Sequence, residues 1–183
     1  GEEEDRSFAQ LQLERFNEVL SFYERRSLPR PVVHMANSGA LLQLPESHFD
    51  MVRTGLCVYG IAPAPHLAKA IAVKPVLSLR SAVVYFKSIP AGTPVSYGRR
   101  WQAPNDTRVA TIPIGYGDGF PRAFSNSGVV LIRGRRCPIR GSVCMDQLVA
   151  ELGPAGTGYN GDEVVIIGSQ GSEELTVGEL AEL

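Results

Sequence analysis

The sequence predicts an α/β segment followed by a mainly antiparallel β domain. Three observations carry this. Up to about residue 72 helix-like and strand-like runs alternate, a stretch rich in Pro and Ala follows, and beyond it come short β-branched runs cut by Gly, Pro and Asn. With 183 residues, 44% hydrophobic and 20% charged, the chain is long enough for one ordinary core or two modest ones.

Ser7 and Gln10 have the spacing of a capping box, and Phe8, Leu11, Phe16, Val19, Leu20 and Tyr23 recur at helical spacing up to Pro29 and Pro31. One amphipathic helix is expected. It feeds the short apolar run PVVHMA, which ends in Asn37-Ser38-Gly39 before ALLQL, the order strand, tight turn, helix start. A second apolar run, FDMVRTGLCVYG, leads into IAPAPHLAKAIAVKP, which reads as a linker and sets the boundary near residue 72. After it VLSLRSAVVYF, TRVATIPIGYG, GVVLIRGRRCPIRG, VCMDQLVAEL and DEVVIIG have strand texture, and TVGELAEL reads as the beginning of a terminal helix. Residues 1–72 hold too few elements to cover the faces and edges of a parallel sheet, so they are expected to be the end of a longer α/β domain; 73–183 form the β domain.

The formal net charge of -1 argues against a surface that wraps nucleic acid. The basic run RGRRCPIRG has the alternation of a solvated hairpin with Gly134 in the turn. Cys57, Cys137 and Cys144 are odd in number and contain no CxxC pair, which points to a reducing, cytoplasmic setting without a disulfide framework or zinc site. No apolar run approaches the roughly 18 residues of a membrane helix.

Ser38 stands where a strand turns into a helix. Capping of the helix by Ser38 or Asn37 is the ordinary reading of that position; the other is a hydroxyl which with nearby backbone N–H groups receives a phosphate. Arg53, inside an apolar run, is expected to be buried and to need an acceptor, with a snorkelling arginine or an internal ion pair as one reading and a ligand contact as the other. Gly55 beside it allows close approach of backbone to a ligand. His34 reads as a structural imidazole able to orient Arg53. In the β domain Tyr97 of VSYG, Tyr116 of GYGDG and Met145-Asp146 of GSVCMDQ are each open to a packing or a functional reading.

Together and in order, HMANSG, FDMVRTGLCVYGIAP, VSYG, TIPIGYGDGFPR and GSVCMDQ resemble the alanine racemase family, and the similarity runs essentially throughout the chain. The resemblance implies the terminal part of a (β/α)8 TIM-type barrel followed by a mainly antiparallel β domain, in a homodimer with shared active sites that uses pyridoxal 5'-phosphate. It implies interconversion of L- and D-alanine, supplying D-alanine for peptidoglycan. By motif position Ser38 and the backbone at Gly55 and Leu56 would hold the cofactor phosphate, and Arg53 would face the pyridine nitrogen. Tyr97 would be one of two bases, the other a lysine that bonds the cofactor. Met145 would contact the substrate carboxylate through its backbone; Tyr116 and Arg122 would line the access channel, with His34 and Asp146 in support. Tyr97 and Met145 of one subunit would complete a site whose cofactor is held by Ser38 and Arg53 of the other.

None of Lys69, Lys74 and Lys87 sits in the motif of the family's cofactor-bonding lysine, so the chain by itself is expected to be inactive. Ser142 stands where some relatives carry an arginine of the access channel. A free phenol titrates near pH ~10, so Tyr97 as a base calls for cationic surroundings, and Arg99 and Arg100 are its sequence neighbours. Two other readings are a related pyridoxal phosphate decarboxylase of basic amino acids and a non-enzymatic β-barrel module that binds an anionic polymer through RGRR.

Overall fold

The computed structural model describes residues 4–182, which divide into two compact units between Val76 and Leu77. The first unit opens with helix α1 (Ser7–Arg25), whose Ala9 and Leu13 are buried together with Leu44 and packed by Met35, Ala40 and Phe49. Phe16 meets Phe49 edge to face at 5.4 Å. The capping box expected at Ser7 and Gln10 does not form. Ser7 is already helical, and the Asp5 carboxylate accepts its N–H at 2.9 Å, a charge-assisted bond stronger than a serine hydroxyl would make.

The expected strand PVVHMA is reduced to one parallel bridge, His34 to Met51, because Met51 is its sole ladder partner among the described residues. Helix α2 (Ser38–Gln43) follows, and Asn37 caps it: its backbone is extended and its Oδ1 accepts the Ala40 N–H at 2.9 Å.

The second unit is a closed β structure whose seven strand pairs are all antiparallel. Its strands are β1 (Leu79–Ala82), β2 (Tyr85–Ile89), β3 (Pro94–Val95), β4 (Trp101–Gln102), β5 (Thr107–Ile112), β6 (Val129–Ile132), β7 (Arg135–Pro138), β8 (Leu148–Glu151), β9 (Glu163–Gln170) and β10 (Glu173–Leu175). Strand order β1-β9-β6-β7 makes one sheet and β2-β5-β8 a second. Two segments join them. β1 runs on into β2, where the Val84 N–H turns to the Thr111 carbonyl, and the continuation of β7 bridges Ile139 to Ala150 on β8. The ring is thereby closed.

Period-2 alternation fills it. Val83, Ala110, Ile112, Val130, Ile132, Cys137, Ile139, Leu148, Ala150, Val164 and Ile166 belong to one buried cluster, drawn from β5, β6, β7, β8, β9 and the segments that join the two sheets, with Phe86 of β2 packed against it. On the outer face Leu131 and Val165, paired in register, pack with Leu175 of β10. The β3–β4 ribbon covers Ile89 and Val109 with Val95, Ala103 and Trp101. Helix α3 (Val177–Ala181) starts at Thr176, whose hydroxyl accepts the Glu179 N–H.

The basic run forms the hairpin β6–β7, with Arg133 and Gly134 both at positive φ in its turn, as the sequence suggested. Two of its guanidinium groups are taken by carboxylates: Arg133 by Asp162 at 2.7 Å, and Arg136 by Glu173 at 2.9 Å and by Glu179. The hydrogen bonds from Arg133 and from Arg136 hold the carboxyls of Asp162 and Glu179, respectively, below the usual range.

Cys137 sits in the barrel interior, and burial pushes its thiol up to about 11, against the weaker opposing pull of Arg135. Cys57 and Cys144 are half-exposed. Because the thiolate is the reactive form, Ellman's reagent at pH 8 is expected to label Cys57 and Cys144 first, and Cys137 only on unfolding. Rapid labelling of all three in the folded chain would contradict the interior placement.

Candidate functional site

The sequence-designated residues fall into two groups, one in each unit. In the first unit, residues 33–36 and 50–53 run side by side. Asp50 donates its N–H to the Val33 carbonyl at 3.0 Å, and Arg53 donates its own to Ala36 at 2.8 Å. The Asp50 carboxylate fastens this pair by accepting from Arg30 and from the Val33 N–H, each at 2.9 Å, and those bonds, Arg30 first, hold its carboxyl below the usual range.

This pairing brings Ser38 to the turn at Gly55. Ser38 is only 4% exposed, and its Oγ accepts the N–H of Gly55 at 2.9 Å and that of Cys57 at 3.4 Å. Since Asn37 does the capping, Ser38 is left for the turn, and a hydroxyl that accepts twice still has its own proton to donate. Leu56 opens a 3-10 turn (Leu56–Tyr59). Gly55 has a negative φ, and a Cβ added there would meet nothing within 4 Å, so crowding within the chain does not explain the glycine.

Arg53 is exposed, contrary to the burial expected from its apolar neighbours. The segment is extended, so Val52 and Thr54 turn one way and Arg53 the other. Its Nη1 donates to His34 Nδ1 at 2.6 Å and also lies 3.3 Å from the His34 carbonyl. A guanidinium only donates, so Nδ1 carries the lone pair and the imidazole proton resides on Nε2. The expectation that His34 orients Arg53 matches this contact.

In the second unit the register does the positioning. The β5–β8 ladder ends at Ile112 opposite Leu148, so the loops 113–120 and 141–147 leave the barrel at the same end. They are stitched there. Tyr116 donates its N–H to the Cys144 carbonyl at 3.0 Å, Gly117 donates to the Met145 carbonyl at 2.7 Å, and the Gly115 N–H goes to Asp118 at 2.9 Å. A Cβ on Gly115 would lie 2.3 Å from the Cys144 oxygen, which only glycine avoids.

The Tyr97 loop is tied to the same place. The Ser96 hydroxyl donates to the Ser142 carbonyl at 2.6 Å, and the Ser142 hydroxyl donates to the Tyr97 carbonyl at 3.0 Å. From the other side Asn126 Oδ1 accepts the Gly141 N–H at 2.6 Å and Ser125 Oγ accepts that of Val143 at 3.0 Å. Ser96, Gly98 and Arg99 all have positive φ, a strained run around Tyr97.

These ties bring Tyr97, Tyr116 and Met145 to one rim with their side chains outward; Tyr97 is 75% and Met145 64% exposed. Asp146 is exposed beside Met145, and the Arg122 guanidinium lies 6.0 Å from the centre of the Tyr116 ring. Arg99 and Arg100 are exposed, and among the described residues neither contacts the Tyr97 phenol. Ser142, which the sequence left as a question of channel charge, is 4% exposed and turned into the loop contacts. Ser125 and Asn126 lie outside the sequence motifs, and Ser96 lies within VSYG without being singled out by it; their supporting roles arise from contacts between loops far apart in sequence.

Among the described residues no group of His, Cys, Asp and Glu is arranged to hold a metal, and no helix is long and apolar enough to cross a membrane.

A β barrel with a stitched rim, joined to an α/β unit with a serine at a glycine turn, defines a two-unit protein with a site group on each. Residues 1–63 match the family model "Alanine racemase, N-terminal domain" and residues 76–183 match "Alanine racemase, C-terminal domain". The chain belongs to the alanine racemase family. It is 43% identical over 183 residues to the alanine racemase of Carboxydothermus hydrogenoformans, covering 100% of this chain and 50% of that protein. Among solved structures it resembles the alanine racemase of Bacillus anthracis with bound L-Ala-P, at TM-score 0.93 and 33% identity over 99% of this chain and 47% of that one. It also resembles that of Bartonella henselae with covalently bound pyridoxal phosphate, at TM-score 0.85 and 31% identity, covering 99% of this chain and 48% of that one. The chain spans about half the length of the curated relatives it matches. These likenesses bear out the expected fold class, the end of a (β/α)8 barrel followed by a mainly antiparallel β domain.

The loop 141–147 yields a direct test. Gly141 and Gly92 have nearly the same positive φ, 76° and 78°, but a Cβ on Gly141 would lie 2.7 Å from the Val95 oxygen while one on Gly92 meets nothing within 4 Å. Gly92→Ala is expected to cost about 1 kcal/mol, the conformational penalty alone. Gly141→Ala should cost roughly 1–3 kcal/mol more in denaturant unfolding, a typical overpacking penalty. Equal costs would deny the close approach of the two loops.

Proposed function

We propose that this chain carries the cofactor-phosphate turn and the catalytic tyrosine of an alanine racemase acting with pyridoxal 5'-phosphate. The observation that carries the reading is the rim itself, where Tyr97, Tyr116 and Met145 point outward from one stitched set of loops.

The first unit fits the cofactor's phosphate. Ser38 has a hydroxyl proton to give, the N–H of Leu56 opens a helical turn, and Gly55 leaves room where any side chain would project into open space. When bound, pyridoxal phosphate withdraws electrons from the Cα of a linked amino acid and so acidifies its α-proton. Arg53, oriented by His34, would meet the ring nitrogen as a donor that keeps its own proton, which limits electron withdrawal and favours simple proton transfer over side reactions. Tyr97 would remove the α-proton of L-alanine and return it in the reverse direction. The Met145 carbonyl is taken by Gly117, which leaves its N–H as the group for the substrate carboxylate. Tyr116 and Arg122, with Asp146 beside Met145, would form the access route and select a small zwitterion.

On this reading the working enzyme is a cytoplasmic homodimer in which Tyr97 and Met145 of one subunit face the Ser38 and Arg53 of the other, and its D-alanine serves peptidoglycan. The free thiols suit a reducing compartment. Pairing of the hairpin guanidinium groups with Asp162, Glu173 and Glu179 weighs against an anionic-polymer module.

The 183-residue chain alone, given pyridoxal phosphate and L-alanine, is expected to form no D-alanine and no absorbance band of covalently held cofactor; such a band would overturn the assignment of its three lysines as bystanders. Joined to the lysine-bearing half of the C. hydrogenoformans relative, it should interconvert the alanine enantiomers. In that chimera Tyr97→Phe should lower kcat about 10²- to 10⁴-fold, the usual contribution of a positioned acid/base. Ser38→Ala should weaken cofactor binding roughly 10-fold or more, read from the bound-cofactor absorbance. Release of carbon dioxide from lysine or ornithine instead of racemisation would transfer the chain to the decarboxylases.

A further inference from the structure

We propose that Ser142 is a positioning residue for Tyr97, locking it through a reciprocal pair of hydrogen bonds with Ser96; the inference rests on the racemase reading above. The geometry is specific. Ser142 gives its hydroxyl proton to the Tyr97 carbonyl at 3.0 Å, and its own carbonyl receives the Ser96 hydroxyl at 2.6 Å. Two adjacent residues of one loop are therefore held by both polar groups of one residue of another.

Three further observations give this contact weight. Ser142 is almost fully buried, so its hydroxyl does not trade this partner freely for water. Gly141 lets the two backbones touch, since a Cβ there would lie 2.7 Å from both the Ser96 Cβ and the Val95 oxygen. Ser96 is held at φ 63°, an unfavourable conformation for a residue with a side chain, and such a conformation persists only where its surroundings fix it. Within its own chain the Tyr97 side chain is exposed and gains little fixation from packing. Its direction is set by its backbone, and the backbone is set by Ser142 and Ser96.

The position is also supported from behind. Asn126 receives the Gly141 N–H and lies 3.4 Å from the Arg100 carbonyl, while Ser125 receives the Val143 N–H. Ser142 is thus anchored on both sides, through Gly141 and through Val143.

Misplacement of a reacting group by about 1 Å costs on the order of 10²-fold in rate. In the lysine-bearing chimera Ser142→Ala is expected to lower kcat roughly 10- to 100-fold with KM for alanine nearly unchanged. Isotope effects separate positioning from a general loss of structure. With Tyr97 misplaced, its proton transfer becomes the slower of the two. The α-deuterium effect should then rise for L-alanine, whose proton Tyr97 removes, and fall for D-alanine, whose proton the lysine removes. Ser96→Ala should shift both effects in the same directions. In the 183-residue chain itself, Ser142→Ala should speed amide exchange over residues 96–99 and leave Val164, Val165 and Ile166 of the barrel unchanged. An active chimera whose isotope effects do not move on Ser142→Ala overturns the positioning role, as does unchanged exchange at 96–99. A chimera that fails to racemise with Ser142 intact overturns the racemase reading on which the proposal stands.

Discussion

A β-sheet has two edges, and the C-terminal unit removes both by letting two strands change partners midway. β1 pairs with β9 and continues as β2 against β5; β7 pairs with β6 and continues through Ile139 to β8. Neither switch could be moved by one residue without turning the buried set of side chains outward. Val83 at the first switch and Ile139 at the second are both buried in the interior cluster, so the same residues that close the ring also fill it. The register of β5 with β8 is a consequence of this closure, and that register decides where the loops after Ile112 and before Leu148 emerge.

The rim depends on this frame in a different currency. Its outward side chains, Tyr97, Tyr116 and Met145, are exposed and contribute little apolar burial; Ile114, Phe120 and Val143 of the same loops are buried in the core, and the backbones are held by hydrogen bonds with Ser96, Ser125, Asn126 and Ser142. A positive φ at a residue such as Ser96 costs about 1–3 kcal/mol. Each hydrogen bond returns about 0.5–1.5 kcal/mol. The two terms are comparable, so the loop keeps its shape only while several bonds hold together. That is a reason for the clustering of short polar side chains there, and it leaves the outward groups, Tyr97, Tyr116 and Met145, free to face a ligand while their backbones stay fixed.

The β unit was legible because its runs alternate with period 2 between turn residues, and because Gly134 marks the β6–β7 hairpin. The first unit was less so. PVVHMA has strand composition, but a strand is made by its partners, and among the described residues it has a single bridge, to Met51, flanked by hydrogen bonds from Asp50 and Arg53. Arg53 was misread for a related reason: apolar neighbours imply burial only in a segment whose two faces are both covered, and in an extended run with one face covered Val52 and Thr54 turn away from it. At Ser7 the local pattern gave way to a better acceptor two residues upstream, Asp5. The proposed site residues were readable from the combination of motifs, while the clamping contacts of Ser96, Ser125, Asn126 and Ser142 were not, even though Ser96 and Ser142 lie within VSYG and GSVCMDQ, since nothing local distinguishes a serine that clamps a distant loop from one that meets water.

Inversion at a carbon requires that a proton leave one face and another arrive at the opposite face. A single phenol on a fixed backbone reaches one face only, so Tyr97 can account for half of the proposed reaction and no more. The firmer its loop is held, the stricter this division becomes. A mobile tyrosine that swung across both faces would need no partner base, but it would also sample positions from which transfer is slow. If Tyr97 is the proposed base, the bonds that fix its backbone would suit a two-base reaction better than one in which the tyrosine swings between faces. On the proposed reading Lys69, Lys74 and Lys87, which lie outside both groups of site residues, would leave the second face to a different residue.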